Sequence, residues 1–186
     1  MQSTAKKWTE AELMALPKDG HKYELVNGEL EMSPAGTFGH GDVIMHLSIV
    51  LGSWVRKNKL GELFDGQSGF WMKSGNLRSP DISFIGRERI GQLDKSQGFL
   101  STAPELAIEV LSPNDTNKLI AEKMEDYFAS GCRLAWVVNP LNKTVAIYHA
   151  PTPDRLLRGD DRLEGEDVVP GFSIAVHEIF EPLYAD

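Results

Sequence analysis

A glutamate set inside the apolar stretch Leu106-Ala107-Ile108-Glu109-Val110-Leu111 is the residue in this sequence whose surroundings most demand chemistry. As a strand with period-two alternation, the stretch puts Glu109 on the same face as Ala107 and Leu111. Burying an unpaired charge there would be costly, so Glu109 needs a cation, a metal or a set of donors as partner. Taken alone, a salt bridge meets that need as well as a metal does. Lys123 sharpens the choice. On a helix over 116–129, Leu119, Ile120, Met124, Tyr127 and Phe128 form one apolar stripe that contains Lys123, while Lys118, Glu122 and Glu125 fall outside it. An inward lysine on the helix that follows the Glu109 strand can reach that carboxylate or whatever the carboxylate holds. The competing reading is a snorkelling side chain, its stem packed and its ammonium in water. Asp81 follows Pro80 and opens a strand at Ile82. Two carboxylates from neighbouring strands offer the hard oxygen ligands that Mg²⁺ prefers, with Mn²⁺ as a substitute and water and phosphate in the remaining positions.

The elements that would position these groups can be read from periodicity and turn chemistry. Thr9 caps a short helix over 9–14, with Glu12 completing a capping box, and Pro17 ends it. Residues 22–26 and 29–33 flank Asn27-Gly28, which suits a type I′ turn, so a β-hairpin is expected. Val43, Ile44, Leu47, Val50, Leu51 and Trp54 recur at three and four, predicting an amphipathic helix over 40–58. Strands follow at 62–73, broken at Gly66 or Gly69, at 81–85 and at 105–112, the last apolar enough to be central. The helix over 116–129 closes at Gly131. Strands at 134–138 and 144–149 come next, then edge strands at 155–158 and 172–176. No internal repeat or linker interrupts this order, which predicts a single α/β unit, 1–186, with a mixed β-sheet flanked by helices and preceded by an N-terminal helix and β-hairpin.

Composition bounds the function classes. The 186 residues are 41% hydrophobic and 25% charged, as expected of a globular chain. No run approaches the roughly 20 apolar residues of a membrane span, so a cytoplasmic protein without membrane contact is expected. The lone Cys132 has no partner for a disulfide or a zinc pair and reads as core filler. A net charge of −8 argues against a polyanionic partner, yet residues 54–95 carry eight Lys or Arg against five acids, while residues 154–186 carry three Arg against nine acids. Arg56, Lys57, Lys73, Arg78, Arg87 and Arg89 are therefore candidate nucleic-acid contacts on a cleft rim, a solvated mixed surface being the plain alternative. His40, one turn before Val43 and Ile44, could face the site as a proton shuttle or phosphate contact, or simply cap the helix. Glu24 alternates away from Tyr23 and Leu25 and reads as a solvated strand residue. His21, His46, His149 and His177 show no ligand spacing.

Several motifs taken in order carry more than any one alone. These are Tyr23-Glu24-Leu25-Val26-Asn27-Gly28-Glu29-Leu30, the Gly39-His40 helix start, Ser79-Pro80-Asp81-Ile82-Ser83, Glu109-Val110-Leu111-Ser112-Pro113-Asn114-Asp115, Lys123…Tyr127…Gly131 and Trp136-Val137-Val138-Asn139-Pro140. Together they resemble the Uma-two family of endonucleases in the restriction-endonuclease-like, PD-(D/E)XK superfamily, over a motif-bearing core of about 20–150. The resemblance implies a restriction-endonuclease-like fold with Asp81 and Glu109 as Mg²⁺ ligands, Lys123 as the catalytic lysine and Glu24 as a supporting carboxylate. The superfamily pattern places its lysine two residues after the acid, where this chain has Leu111. A lysine migrated to the next helix, as Lys123, answers that departure.

These readings converge on a metal-dependent endonuclease hydrolysing DNA phosphodiester bonds, acting as a homodimer. Two rivals stand beside it. One is a catalytically degenerate nucleic-acid or protein binding module on the same fold; the other is a metal-dependent hydrolase of a small phosphorylated substrate.

Overall fold

The computed structural model describes residues 8–17, 21–94 and 98–182. Helix α1 (Glu10–Met14) starts as expected, with Thr9 accepting from the Glu12 backbone N–H and Glu12 reaching back to the Thr9 N–H at 2.9 Å. Strands β1 (Lys22–Val26) and β2 (Glu29–Ser33) form the hairpin, and Asn27 and Gly28 take φ of 52° and 83°, the two positive values a type I′ turn requires. Helix α2 (Phe38–Asn58) is capped by Thr37, two residues earlier than periodicity alone suggests, because the cap and not the first apolar residue sets the start.

The segment expected as one broken strand divides at both of its glycines into β3 (Gly61–Asp65) and β4 (Phe70–Trp71), which join different sheets. After β5 (Leu77–Arg78) and β6 (Ile82–Gly86) comes the short α3 (Arg87–Ile90). Then β7 (Leu106–Val110), α4 (Asn117–Ala129) and β8 (Leu134–Asn139) form a strand–helix–strand unit, and β9 (Thr144–Tyr148) and β10 (Pro153–Arg158) complete a meander. Six strands make the main sheet in the order β10-β9-β8-β7-β6-β3. Only β7 and β8 pair in parallel, which is why a helix must carry the chain between them. A four-stranded sheet, β2-β1-β5-β4, carries the hairpin. The expected edge strand at 172–176 is instead part of a separate ribbon, β11 (Arg162–Glu164) with β12 (Ser173–Ala175); of the two edge strands expected, only β10 lies at an edge of the main sheet, with β3 at the other.

Alternation along β7 decides what each side of the sheet can hold. Leu106, Ile108 and Val110 face a core shared with Val43, Leu47, Leu51 and Val55 of α2. Ala107 faces the opposite core, with Ile120, Met124 and Tyr127 of α4, and Glu109 shares its side. A small residue at Ala107 lets α4 approach closely, so that polar groups on its inner face meet the strand. No helix among the described residues is long and apolar enough to cross a membrane.

At the meander's far end His149 sits between Asp154, which touches Nδ1, and Glu166, 2.5 Å from Nε2. The hydrogen bond to Glu166, then that to Asp154, raises its pKa above the ordinary histidine value of about 6.5. A raised folded-state pKa gives stability that is present below about pH 6.5 and lost as pH climbs through the folded value. Thermal melts between pH 6 and 9 should therefore show a loss of stability on the alkaline side that His149→Gln flattens. Parallel curves for the two proteins would contradict it.

Candidate active site

Glu109 is 3% exposed, and both of its oxygens are taken. The Lys123 ammonium donates to Oε2 at 2.8 Å, and the Tyr127 hydroxyl donates to Oε1. Lys123 and Tyr127 stand four residues apart on α4, so both reach down from one helix face. The inward placement expected for Lys123 holds, and snorkelling does not: the residue is 7% exposed. Burial works against the Lys123 charge, but Glu109 and Glu24 outweigh it and raise its pKa. Burial likewise raises the Glu109 carboxyl above its usual range, against the pull of Lys123 and Lys22.

Asp81 precedes β6 and meets the end of β7 across the sheet. Its Oδ2 accepts from the Val110 N–H at 2.8 Å and lies 3.5 Å from His40 Nε2, while Oδ1 lies 3.1 Å from Lys22 Nζ. Burial alone would raise its pKa, but Lys22, His40 and the Val110 N–H together hold the carboxyl well below the usual range. The same hydrogen bond to Asp81 raises the pKa of His40. Gly36 backs the His40 ring so closely that a Cβ there would lie 2.5 Å from Nδ1. The chain thus needs glycine at 36 to seat this histidine against Asp81.

Glu24 corrects the sequence reading. It is 4% exposed rather than solvated, because residues 78–79 and Lys123 of α4 gather over the side that alternation had left outward. Its Oε1 accepts from the Ser79 N–H at 2.7 Å, and its Oε2 lies 3.4 Å from Arg78 Nη1 and 4.0 Å from Lys123 Nζ. Burial opposes its charge, but Lys123, Lys22, the Ser79 N–H and Arg78 prevail, and its pKa is lowered. Arg78 in turn donates through Nε to Asp126 at 2.7 Å, and Asp126 also accepts from Asn76 and Ser74.

Glu24, Asp81, Glu109 and Asp126 thus face three permanent cations, Lys22, Arg78 and Lys123, leaving one negative charge more than positive. A protonated His40 or a bound cation would balance it. Sequence reasoning missed Tyr127, Lys22 and Asp126. Tyr127 was readable as apolar, yet a buried hydroxyl needs an acceptor. Lys22 is two residues from Glu24 on one strand face, a spacing that could have flagged it.

A cleft of about 700 Å³ opens onto this cluster, lined among others by Lys22, His40, Asp81, Glu109, Lys123 and the acids Glu31, Asp65 and Asp115. None of the six basic residues expected on its rim lines it. Arg78 is 1% exposed and committed to Asp126 and Glu24. Arg56 and Lys57 occupy the last turn of α2, roughly 24 Å along the helix from His40 at 1.5 Å per residue. Arg87 and Arg89 lie on α3 beyond the opposite end of β6 from Asp81, and Arg89 is held by Glu105 and the Ala103 and Thr102 carbonyls. Lys73 is exposed, and its backbone N–H donates to Ser130 near the end of α4. Sequence clustering failed here because the elements carrying these residues diverge in space.

Among the described residues no three His, Cys, Asp or Glu side chains form a group that could hold a metal unaided. The donor set nevertheless suits Mg²⁺, which takes one or two carboxylates and completes its shell with water and phosphate. A carboxylate has about four lone-pair positions, and Glu109 uses two, so room for a cation remains.

A family model described as "Uma2: Putative restriction endonuclease" matches residues 10–177. A crystal structure described as "a putative nuclease belonging to DUF820 from Anabaena variabilis" superposes with a TM-score of 0.81 at 19% identity, covering 93% of this chain and 97% of that one. At that identity the likeness establishes a shared restriction-endonuclease-like fold. No curated protein matches the sequence.

Removing the buried guanidinium should test the reassignment of Arg78. Arg78→Met strands two carboxylates and should cost about 3 to 5 kcal/mol in urea melts. Arg56→Ala, on the surface, should stay within about 0.5 kcal/mol. A loss below about 1 kcal/mol for Arg78→Met would return that residue to the surface.

Proposed function

The chain belongs to the Uma2 family, and from that premise we propose that it is a divalent-metal-dependent endonuclease that hydrolyses DNA phosphodiester bonds at Asp81, Glu109 and Lys123. The observation that carries this reading is the meeting of a cleft-lining carboxylate pair with a buried ammonium, 2.8 Å from one of them, on a fold shared with a nuclease-described structure.

Asp81 and Glu109 would hold the cation, which when bound polarises the phosphate and makes water more acidic. The chain's own groups supply the rest. Lys123, fixed by Glu109 and Glu24, presents positive charge where the pentavalent phosphate gains negative charge, without reorganising at the moment of reaction. Tyr127 holds Glu109 in one orientation and keeps its Oε2 toward Lys123. His40, its proton affinity raised by its contact with Asp81, lines the cleft and is placed to pass a proton to a phosphate or leaving oxygen. The cleft's acids would repel DNA, and a bound cation would invert that local charge and let an acidic chain meet it. Cleavage of both strands would pair two sites about a two-fold axis, so the homodimer and a cytoplasmic setting belong to this proposal.

A second reading, a binding module without turnover, draws on one observation: every oxygen of Glu109 and Asp81 already accepts from a protein donor.

Plasmid cleavage in Mn²⁺ separates them. Asp81→Asn, Glu109→Gln and Lys123→Met should each lower the rate by about 10² or more, with double changes far from additive because the groups act as one unit. EDTA should abolish cleavage. A purified protein that binds Mn²⁺ and DNA but leaves plasmid intact supports the second reading.

A further inference from the structure

The two carboxylates at the cleft each have an ammonium of their own, but the two ammoniums are held differently. Lys123 rises from the packed face of α4, 7% exposed, shared between Glu109 and Glu24. Lys22 is the first residue of β1, in a hairpin whose second strand is mostly exposed, and its side chain lines the cleft. Its Nζ lies 3.1 Å from Asp81 Oδ1, and the lysine and aspartate side chains are 16% and 12% exposed. A divalent cation entering from the cleft therefore meets the Lys22 ammonium at the ligand it needs. Two positive charges on one carboxylate oxygen repel each other, and of the two ammoniums Lys22, the less packed, is the one able to give way. Once released, the ammonium stays in a cleft whose other side chains include Glu31, Asp65 and Asp115, where it offsets the repulsion those acids exert on an incoming phosphate.

Resting on the metal reading given above, we propose that Lys22 is an exchangeable internal counter-ion: a divalent cation displaces it from Asp81, and the freed ammonium binds a phosphate of the nucleic-acid backbone. Cation and nucleic acid then assist each other's binding through one side chain, and by linkage the assistance is equal in both directions. Lys22 acts here as a positioning residue for the substrate backbone, and it also keeps the cation-free cleft from presenting an uncompensated Asp81.

The test is a calorimetric titration of Mn²⁺ alone into the full chain, comparing the parent with Lys22→Met, Lys22→Arg and Asp81→Asn, followed by duplex binding in Ca²⁺. The proposal expects Lys22→Met to bind Mn²⁺ about tenfold more tightly or better, with Lys22→Arg close to the parent, because the competing charge governs the effect. It also expects the Ca²⁺-dependent gain in duplex affinity to shrink in Lys22→Met. Equal or weaker Mn²⁺ affinity in Lys22→Met overturns the exchange while leaving the metal site standing. Tighter Mn²⁺ binding with an undiminished duplex gain overturns the phosphate contact. If no protein in the set shows Mn²⁺ binding that Asp81→Asn removes, the metal reading itself fails and takes the exchange with it. Should Lys22→Met be unfolded without cation, refolding by Mn²⁺ but not by NaCl supports the exchange, and refolding by neither overturns it.

Discussion

The ion pair between Glu109 and Lys123, 2.8 Å apart in a buried setting, is the contact on which the rest of the arrangement depends. Neither group can be buried alone without a large cost, so the pair ties the central strand to the helix that follows it. Tyr127 joins from the next turn of the same helix and leaves the carboxylate one orientation. The strand is central, the helix is its crossover, and the parallel pairing of β7 with β8 makes that crossover obligatory. Glu109 and Lys123 therefore both sit on regular elements of the central sheet unit, not on a loop.

Around that pair the charges alternate outward, from Glu24 to Arg78 to Asp126, while Asp81 gathers Lys22 and His40 at the cleft. The cluster is left with one more carboxylate than permanent cation, and the two carboxylates nearest the cleft respond in opposite ways. Donors hold Asp81 ionised, whereas burial raises the proton affinity of Glu109. A site with this imbalance has a use for one additional positive charge. Folding provides the residues that share it, and binding would provide the rest.

Many elements of the fold were legible because their signals are local. The Asn27-Gly28 turn, the Thr9 box and the apolar stripe of α4 each sit within a few residues of what they specify. Glu109 and Lys123 were legible for the same reason, each being a charge at a phase that had to point inward. Glu24 and Arg78 were misplaced because they are enclosed by partners from distant segments, Glu24 by Ser79, Arg78 and Lys123 and Arg78 by Asp126, which alternation cannot reveal. Grouping basic residues by sequence proximity failed likewise: Arg56 ends a long helix that begins at the cleft, and Arg87 begins a helix at the other end of β6. Lys22 and Tyr127 carried signals that were present but read as hairpin polarity and core packing.

The hairpin that delivers Glu24 and Lys22 is joined to the cluster by contacts spanning 54, 55 and 59 residues. Glu109 and Lys123 are only 14 apart. Contacts closing short loops form readily, and those closing long ones come at greater entropic cost. A chain emerging during synthesis carries its hairpin before residues 78–81 that pair with Glu24 and Lys22 exist, and long before β7 and α4 bring Glu109 and Lys123. The complete constellation is thus a property of the finished molecule, and an incomplete chain carries no assembled charge cluster.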